Sequence, residues 1–314
     1  MKKYLLLFCL CLLSGVTHSQ TVLIKGTALD STKGRNRVTV VLNDTINKFL
    51  DLPQRNPADY RWIITDTVYR VRTKANGAFS IRARLRDSLY FESFEHIPQK
   101  YAVKDLLKRK AISIRLLPEV CQPYVPCKDT LPKHFVFVGE KVKVTVAKRK
   151  YYCNTIMMDR GYNAQYKVLQ NVAGGFPRDT IRFVAYDHYG TPAFSKYSHV
   201  LLFVSEYCQE LVHQKYQYYS LYKTAGNQWA APYSASDYAA LGPDSGIKPE
   251  IIKFREPVVI DVSQAAPEWV SKTFPAPYYK VENGKATAVY GNYVKELVEI
   301  KKQTVLKARG IRLK

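Results

Sequence analysis

A mainly β chain is the fold class these residues predict: an N-terminal β-sandwich, a five-stranded barrel of the OB type, an extended C-terminal segment and one terminal α-helix. Three observations carry the prediction. Apolar and polar residues alternate with period two in many short runs, which is the pattern of half-buried strands. Gly, Pro and Asn-Gly separate those runs at intervals too short for helices. The chain also carries 24 Tyr among 314 residues, an aromatic load suited to wide amphipathic sheet surface. That length is enough for two domains of ordinary size.

The chain opens with Lys2 and Lys3, the apolar run from Tyr4 to Leu13, and small residues Thr17 and Ser19 before Gln20. This is the layout of a signal peptide over 1–19 with cleavage after Ser19. Lipid attachment at Cys9 or Cys11 is disfavoured, because bulky Phe8 and Leu10 stand where a small residue is needed. No later run approaches the roughly 20 apolar residues of a spanning helix. The expectation is an exported protein without a transmembrane span in its mature form, placed in the periplasm, at the outer membrane or outside the cell.

Cleavage leaves Cys121, Cys127, Cys153 and Cys208, an even number in an oxidising compartment, so two disulfides are expected. Three pairings are open. Free buried thiols are the plainer alternative, and the lack of any C-x-x-C pair argues against zinc. The formal charge is +22, and cleavage removes only Lys2 and Lys3 from it. A field of that sign favours an anionic glycan, a lipid surface or an acidic envelope protein; an exported chain is not expected to meet nucleic acid. A solubilising charge spread evenly over the surface is the plainer explanation.

Residues 20–118 read as the sandwich. Val38, Val40 and Leu42 alternate with Thr39 and Asn43, and Asn76-Gly77 between Val71–Thr73 and Phe79–Ile81 predicts a tight hairpin. Phe79, Ile81, Ala83 and Leu85 form a core face, opposite Arg82, Arg84 and Arg86, which are candidate anion-binding residues. The pieces G-T-A-L-D-S from Gly26, V-T-V-V-L from Val38, N-G-A-F-S-I from Asn76 and D-S-L-Y-F from Asp87 resemble the carboxypeptidase regulatory-like domain. That resemblance implies a transthyretin-like sandwich of about seven strands without catalytic residues of its own. An insertion between Asn43 and Val68, with Pro53, Pro57 and Trp62, departs from the family pattern.

Residues 119–224 read as the barrel. Its lead-in, Cys121-Gln-Pro-Tyr-Val-Pro-Cys127, has the composition of a linker and is expected to staple the two domains. Val142, Val144 and Val146 alternate with Lys141, Lys143 and Thr145 after Gly139, which permits a bulge that bends the first strand. Lys141 and Lys143 join the candidate anion-binding set. Ala164, Tyr166 and Val168, then Ile181, Phe183 and Ala185, mark the next strands. Val200–Val204 is continuously apolar, as a strand covered on both faces would be. The pieces F-V-G-E-K-V, Y-N-A-Q-Y-K-V-L-Q-N-V and D-T-I-R-F resemble the netrin module of tissue inhibitors of metalloproteinases. That family inhibits through a cysteine at the N-terminus of the mature chain. Cys121 is internal and its nitrogen is a peptide amide, so the resemblance carries the fold without that activity.

Residues 225–314 are rich in turns up to Pro257 and read as extended covering structure, with a strand expected over Val258–Val262 and a helix over about 290–308. Tyr216, Tyr218, Tyr219, Tyr222 and Trp229 are candidate glycan-stacking residues, against the plainer reading of an aromatic face that the C-terminal segment covers. No H-E-x-x-H, G-x-S-x-G, G-x-G-x-x-G or phosphate-binding loop is present, and each histidine is more simply read as structural. The two S-x-x-K spacings, at Ser220 and Ser245, lack the companion motifs of that chemistry. The expectation is therefore a non-enzymatic binding or scaffolding protein of a bacterial envelope, without cofactor or metal. A protease-inhibitor-like module is the first alternative and a hydrolase the second.

Overall fold

The computed structural model describes residues 21–31, 37–50, 63, 65–129, 131–148 and 150–313. The signal peptide predicted over 1–19, and Pro53, Pro57 and Trp62 of the insertion, lie outside the described residues. Strands dominate. The chain divides into two compact units, Met1–Pro123 with Tyr151–Cys153, and Tyr124–Lys150 with Asn154–Lys314.

In the first unit the strands are β1 (Thr21–Leu29), β2 (Thr39–Leu42), β3 (Arg70–Arg72), β4 (Ala78–Arg84), β5 (Ser88–Glu92), β6 (Gln99–Ala102) and β7 (Ser113–Arg115), with short helices α1 (Thr45–Leu50) and α2 (Val103–Leu106). They make two sheets, ordered β4-β1-β7 and β3-β2-β5-β6. Ile24, Ala28, Phe79 and Ile81 from the first sheet and Val40, Leu89 and Phe91 from the second meet in one core. The alternation in β4 buries Phe79, Ile81 and Ala83 and exposes Ser80, Arg82 and Arg84. The hairpin predicted around Asn76-Gly77 is corrected. The turn forms, with Gly77 at φ 80° and the Ala78 amide donating to Asn76 Oδ1 at 3.1 Å. Its two flanking strands, however, belong to different sheets, β3 pairing with β2 and β4 with β1. Turn chemistry sets where the chain reverses. Burial of the Ile24–Ile81 pair sets which strand it then joins.

The second unit begins with β8 (Lys133–Val146), β9 (Arg160–Ala173), β10 (Thr180–Asp187), a 3₁₀ turn at Ala193–Lys196, β11 (His199–Tyr207) and β12 (Glu210–Ser220). These five strands close a barrel in the order β10-β12-β11-β8-β9. All ladders are antiparallel except β10 with β12, which run parallel through Val184 and Val212. Phe137, Tyr166, Ile181, Phe183, Phe194, Leu202 and Val204 fill the interior. The β8–β9 register shifts between Val138 and Gly139, at the bulge expected there, and again between Lys141 and Lys143.

Beyond the barrel the extended covering predicted for 225–257 is in part regular structure. Strands β13 (Tyr222–Lys223), β14 (Trp229–Pro232), β15 (Glu250–Ile251), β16 (Val259–Asp261), β17 (Tyr279–Glu282), β18 (Lys285–Ala288) and β19 (Tyr290–Tyr293) accompany helices α3 (Ala235–Leu241) and α4 (Pro267–Thr273). They form two small sheets, β13-β14-β19-β15 and β16-β18-β17. The helix predicted over 290–308 starts late and breaks once: α5 is Val294–Gln303 and α6 is Val305–Ala308. Gly291 and Asn292 are buried strand residues instead, paired with Pro232 and Ala231. Leu297, Val298 and Leu306 pack on Val136, Val138, Leu201 and Phe203 from the outside of the barrel. Strand β11 is thereby covered on both faces, which is why Val200–Val204 carries no polar residue.

The two disulfides are Cys121–Cys153, with Cα atoms 5.1 Å apart, and Cys127–Cys208, with Cα atoms 6.0 Å apart. The first bridge joins the linker to Tyr151–Cys153, a short segment of the connection between β8 and β9 that groups with the sandwich unit, and the second closes within the barrel unit. Among the described residues no helix is long and apolar enough to cross a membrane.

Candidate functional site

Helices α5 and α6 pack outside β8 and β11 and reach the end of β9 at Val172 and Ala173, whereas Asn163 and Lys167 of β9 and Arg182 of β10 are exposed. Strand register builds a polar row there. Gln165 stands opposite Lys143 on β8 and opposite Arg182 on β10, so three side chains on adjacent strands project as direct neighbours. A second row holds Thr145, Asn163 and Val184. At sheet spacing the two cations flank the Gln165 amide at backbones roughly 10 Å apart.

These rows floor a groove. One part is a cavity of about 740 Å³ that includes Lys133, Gln165, Arg178, Arg182 and Gln209 in its lining. The other, of about 390 Å³, adds Lys143, Thr145, Asn163 and Glu210, and the two share Gln165, Arg182, Gln209 and Leu211. The turn between β9 and β10 supplies Arg178 and is held rigid. Asn171 accepts from the Phe176 amide and donates to the Phe176 carbonyl, both at 3.0 Å, and Phe176 meets Phe135 edge to face at 5.4 Å. Gly174 sits at φ 76°, and a Cβ there would lie 1.9 Å from the His134 carbonyl oxygen. Only glycine lets the turn lie this close to β8.

The charge state of the groove is uneven. Its two carboxylates have cationic neighbours, Glu206 with Lys133 at 3.5 Å and Glu210 with Lys150 at 3.9 Å. Lys143, Arg178 and Arg182 are exposed and form no ion pair among the described residues. The groove thus presents cations free to meet an anion, interleaved with amide and hydroxyl groups that match a polyhydroxylated chain.

The predicted anion-binding set is dispersed. Lys143 is in the groove, whereas Lys141, two residues away, donates from Nζ to the Ser195 carbonyl at 2.9 Å. The register shift between them puts Lys141 opposite interior Tyr166 and Lys143 opposite Gln165. Arg82 and Arg84 border a separate cavity of about 630 Å³ in the sandwich unit with Asn43 and Asp87, and Arg86 is exposed in the turn after β4. Arg178, Arg182, Gln165 and Gln209 were not singled out from the sequence, because cross-strand register has no local signal.

The predicted stacking set forms no common face. Tyr218 packs with the barrel interior, and burial pushes its phenol up to about 12. Tyr219 points the other way, under α5; burial and then nearby Asp237 hold its phenol well above the ordinary range. Tyr216 is 44% exposed at φ 67°. Tyr222 meets Phe254 edge to face at 6.1 Å, and Trp229 lies 4.8 Å from the His199 ring. Period-two alternation separates neighbours that look like one run in the text.

Two serine–histidine contacts occur among the described residues. In the sandwich unit Ser31 Oγ is 2.7 Å from His96 Nε2, which also accepts from the Ser31 amide at 3.1 Å, while His96 Nδ1 lies 2.7 Å from the Phe94 carbonyl; this ring ties the end of β1 to the turn after β5. The second contact is in the barrel. His134 Nδ1 is 2.7 Å from Ser205 Oγ, and desolvation lowers the His134 pKa below its ordinary value. Ser205 is 1% exposed and also accepts from Gln214 Nε2 at 2.8 Å, whose Oε1 accepts from Arg309 at 3.2 Å. A serine sealed in this way is a structural node of the barrel wall. Among the described residues no group of three or more His, Cys, Asp or Glu side chains is placed to hold a metal.

The chain matches no protein-family profile, no curated protein and no solved structure.

Proposed function

We propose that this chain is an exported, non-enzymatic binding protein of a bacterial envelope that holds an extended anionic glycan in the groove across β8, β9 and β10. The observation that carries this reading is the set of unpaired cations Lys143, Arg178 and Arg182 around the Gln165 amide. Guanidinium groups fit carboxylate or sulfate bidentately, and the amides and Thr145 suit sugar hydroxyls. Strand order supports an OB-type barrel, for which the face of the second and third strands and the turn between the fourth and fifth are the usual binding surface. Here those are β9, β10 and the turn at Cys208-Gln209. The two-sheet unit before it is read as the transthyretin-like, carboxypeptidase regulatory-like sandwich, in keeping with its three- and four-stranded sheets over one core.

The test compares wild type with the double variant Lys143→Glu/Arg182→Glu on immobilised polygalacturonate and on neutral dextran. Wild type is expected to be retained by the acidic polymer only, with retention falling as salt rises. The variant is expected to lose about tenfold or more in affinity. Equal retention on dextran, or a folded variant that binds as well as wild type, refutes the proposal.

A further inference from the structure

Outside the groove, the barrel unit carries a compact cluster of exposed apolar side chains. Ile156, Met157 and Met158 follow one another in the connection between β8 and β9 and are 74%, 42% and 72% exposed. Tyr189, 80% exposed, and Tyr216, 44% exposed, lie beside each other with ring centroids 6.2 Å apart. The next residue in the chain, Asp159, fixes the three apolar residues to this place. Its carboxylate accepts from Lys215 Nζ at 2.6 Å and stands 3.5 Å from His188 Nδ1, whose ring meets Tyr189 edge to face at 5.3 Å. Lys215 Nζ also lies 5.1 Å from the Tyr216 ring centroid. The apolar tip therefore stands on an ion-paired base, and its exposure comes from its own position in the fold.

The surroundings of the cluster carry more positive than negative charge. Lys215 is the partner of Asp159, Arg309 reaches the Lys215 carbonyl at 3.0 Å and the neutral Gln214 amide oxygen at 3.2 Å, and Arg160 stands opposite the buried Asp187 across β9 and β10. Three cations thus stand with two carboxylates, and the hydrogen bonds of Arg309 go to neutral acceptors. An exposed run of unbranched and branched aliphatic side chains, with tyrosines and an excess of cations at its ion-paired base, fits a bilayer surface layer by layer. The tip enters the acyl boundary, the phenols take the interface and the cations meet anionic headgroups. We infer that the β8–β9 loop, with Tyr189 and Tyr216, is a peripheral docking site for a lipid bilayer bearing anionic headgroups.

The experiment is vesicle flotation of the purified protein with phosphatidylcholine vesicles made with and without phosphatidylglycerol. Three proteins are compared: wild type, Ile156→Asp/Met158→Asp, and the groove variant Lys143→Glu/Arg182→Glu. Circular dichroism and thermal melting verify each fold, and the loop positions are exposed, so both aspartates are tolerated. Wild type and the groove variant are expected to float with the phosphatidylglycerol vesicles, and the loop variant to bind about tenfold more weakly or worse. Neutral vesicles are expected to bind wild type only weakly. Unchanged flotation of the loop variant overturns the inference, as does absence of flotation by wild type, which would assign the tip to a protein partner. Loss in the groove variant alone also overturns it, since binding would then be generic charge attraction. The glycan test above uses a different variant and a different ligand, so either reading can fail without the other.

Discussion

The ion pair between Lys301 and Asp237 fastens the C-terminal helix α5 to α3 over the barrel wall, and its removal has a calculable effect. Lys301 Nζ is 2.9 Å from Asp237 Oδ1, with side chains only 10% and 16% exposed, and it lies 4.6 Å from the Tyr219 ring centroid. Replacing Lys301 by Met keeps most of the packing volume but strands the Asp237 carboxylate where little water reaches it. Removing one partner of a buried pair costs ~3–5 kcal/mol, and the residual exposure of both groups brings the expectation here to roughly 2–3 kcal/mol. For a unit of this size that corresponds to a fall of about 5–10 °C in Tm. The double variant Lys301→Met/Asp237→Leu has no stranded charge and is expected within about 1 kcal/mol of wild type. Urea unfolding of wild type, both single variants and the double variant, followed by tryptophan fluorescence, gives the coupling energy directly; Trp229 packs against the same core. A single variant within about 0.5 kcal/mol of wild type, or a double variant whose loss equals the sum of the single losses, would refute the reasoning.

Two further expectations concern the barrel. His213 is fully enclosed, its Nε2 2.8 Å from the Gln217 carbonyl, and burial lowers its pKa to about 4. The folded state thus binds this proton less readily than the unfolded chain does. The stabilising contribution is complete above the unfolded value near 6.5 and is lost as pH falls toward 4, with a slope of up to about 1.4 kcal/mol per pH unit. Urea midpoints measured from pH 7 to pH 4.5 are expected to fall less steeply for His213→Gln than for wild type, and parallel slopes would contradict this. Gly174→Ala is expected to cost more than about 3 kcal/mol, because its Cβ would lie 1.9 Å from the His134 carbonyl oxygen at φ 76°. A Tm within a few degrees of wild type would show that the β9–β10 turn can move aside.

Much of the architecture was legible as residue pattern. Period-two alternation located β4 and the barrel strands, Gly139 marked a real register shift, and the unbroken run Val200–Val204 announced a strand buried on both faces. The errors share a cause. Asn76-Gly77 encodes a turn but not the sheet to which the next strand belongs. The spacing of Val294, Leu297 and Val298 encodes a helix face, yet Gly291 and Asn292 upstream are recruited into a strand by the β14 edge. The candidate site was the least legible part. Lys143 was visible as an exposed cation of β8, whereas its neighbours Gln165 and Arg182 are 22 and 39 positions away in the chain.

Local sequence determined the apolar face of each strand, the turns, the even cysteine count and the excess of positive charge. These depend on residue type and short spacing, which steric and hydrophobic preferences read within a few residues. Only the tertiary structure decided which faces stay open. Lys141 and Lys143 part company because one register shift turns the pleat between them. Tyr218 and Tyr219 are buried on opposite sides of one barrel wall, inside it and beneath α5. Lys143, Gln165 and Arg182 become neighbours only when β8, β9 and β10 lie in register. Register is a cooperative property of the closed barrel, chosen by the burial of its whole interior, and no single segment carries it.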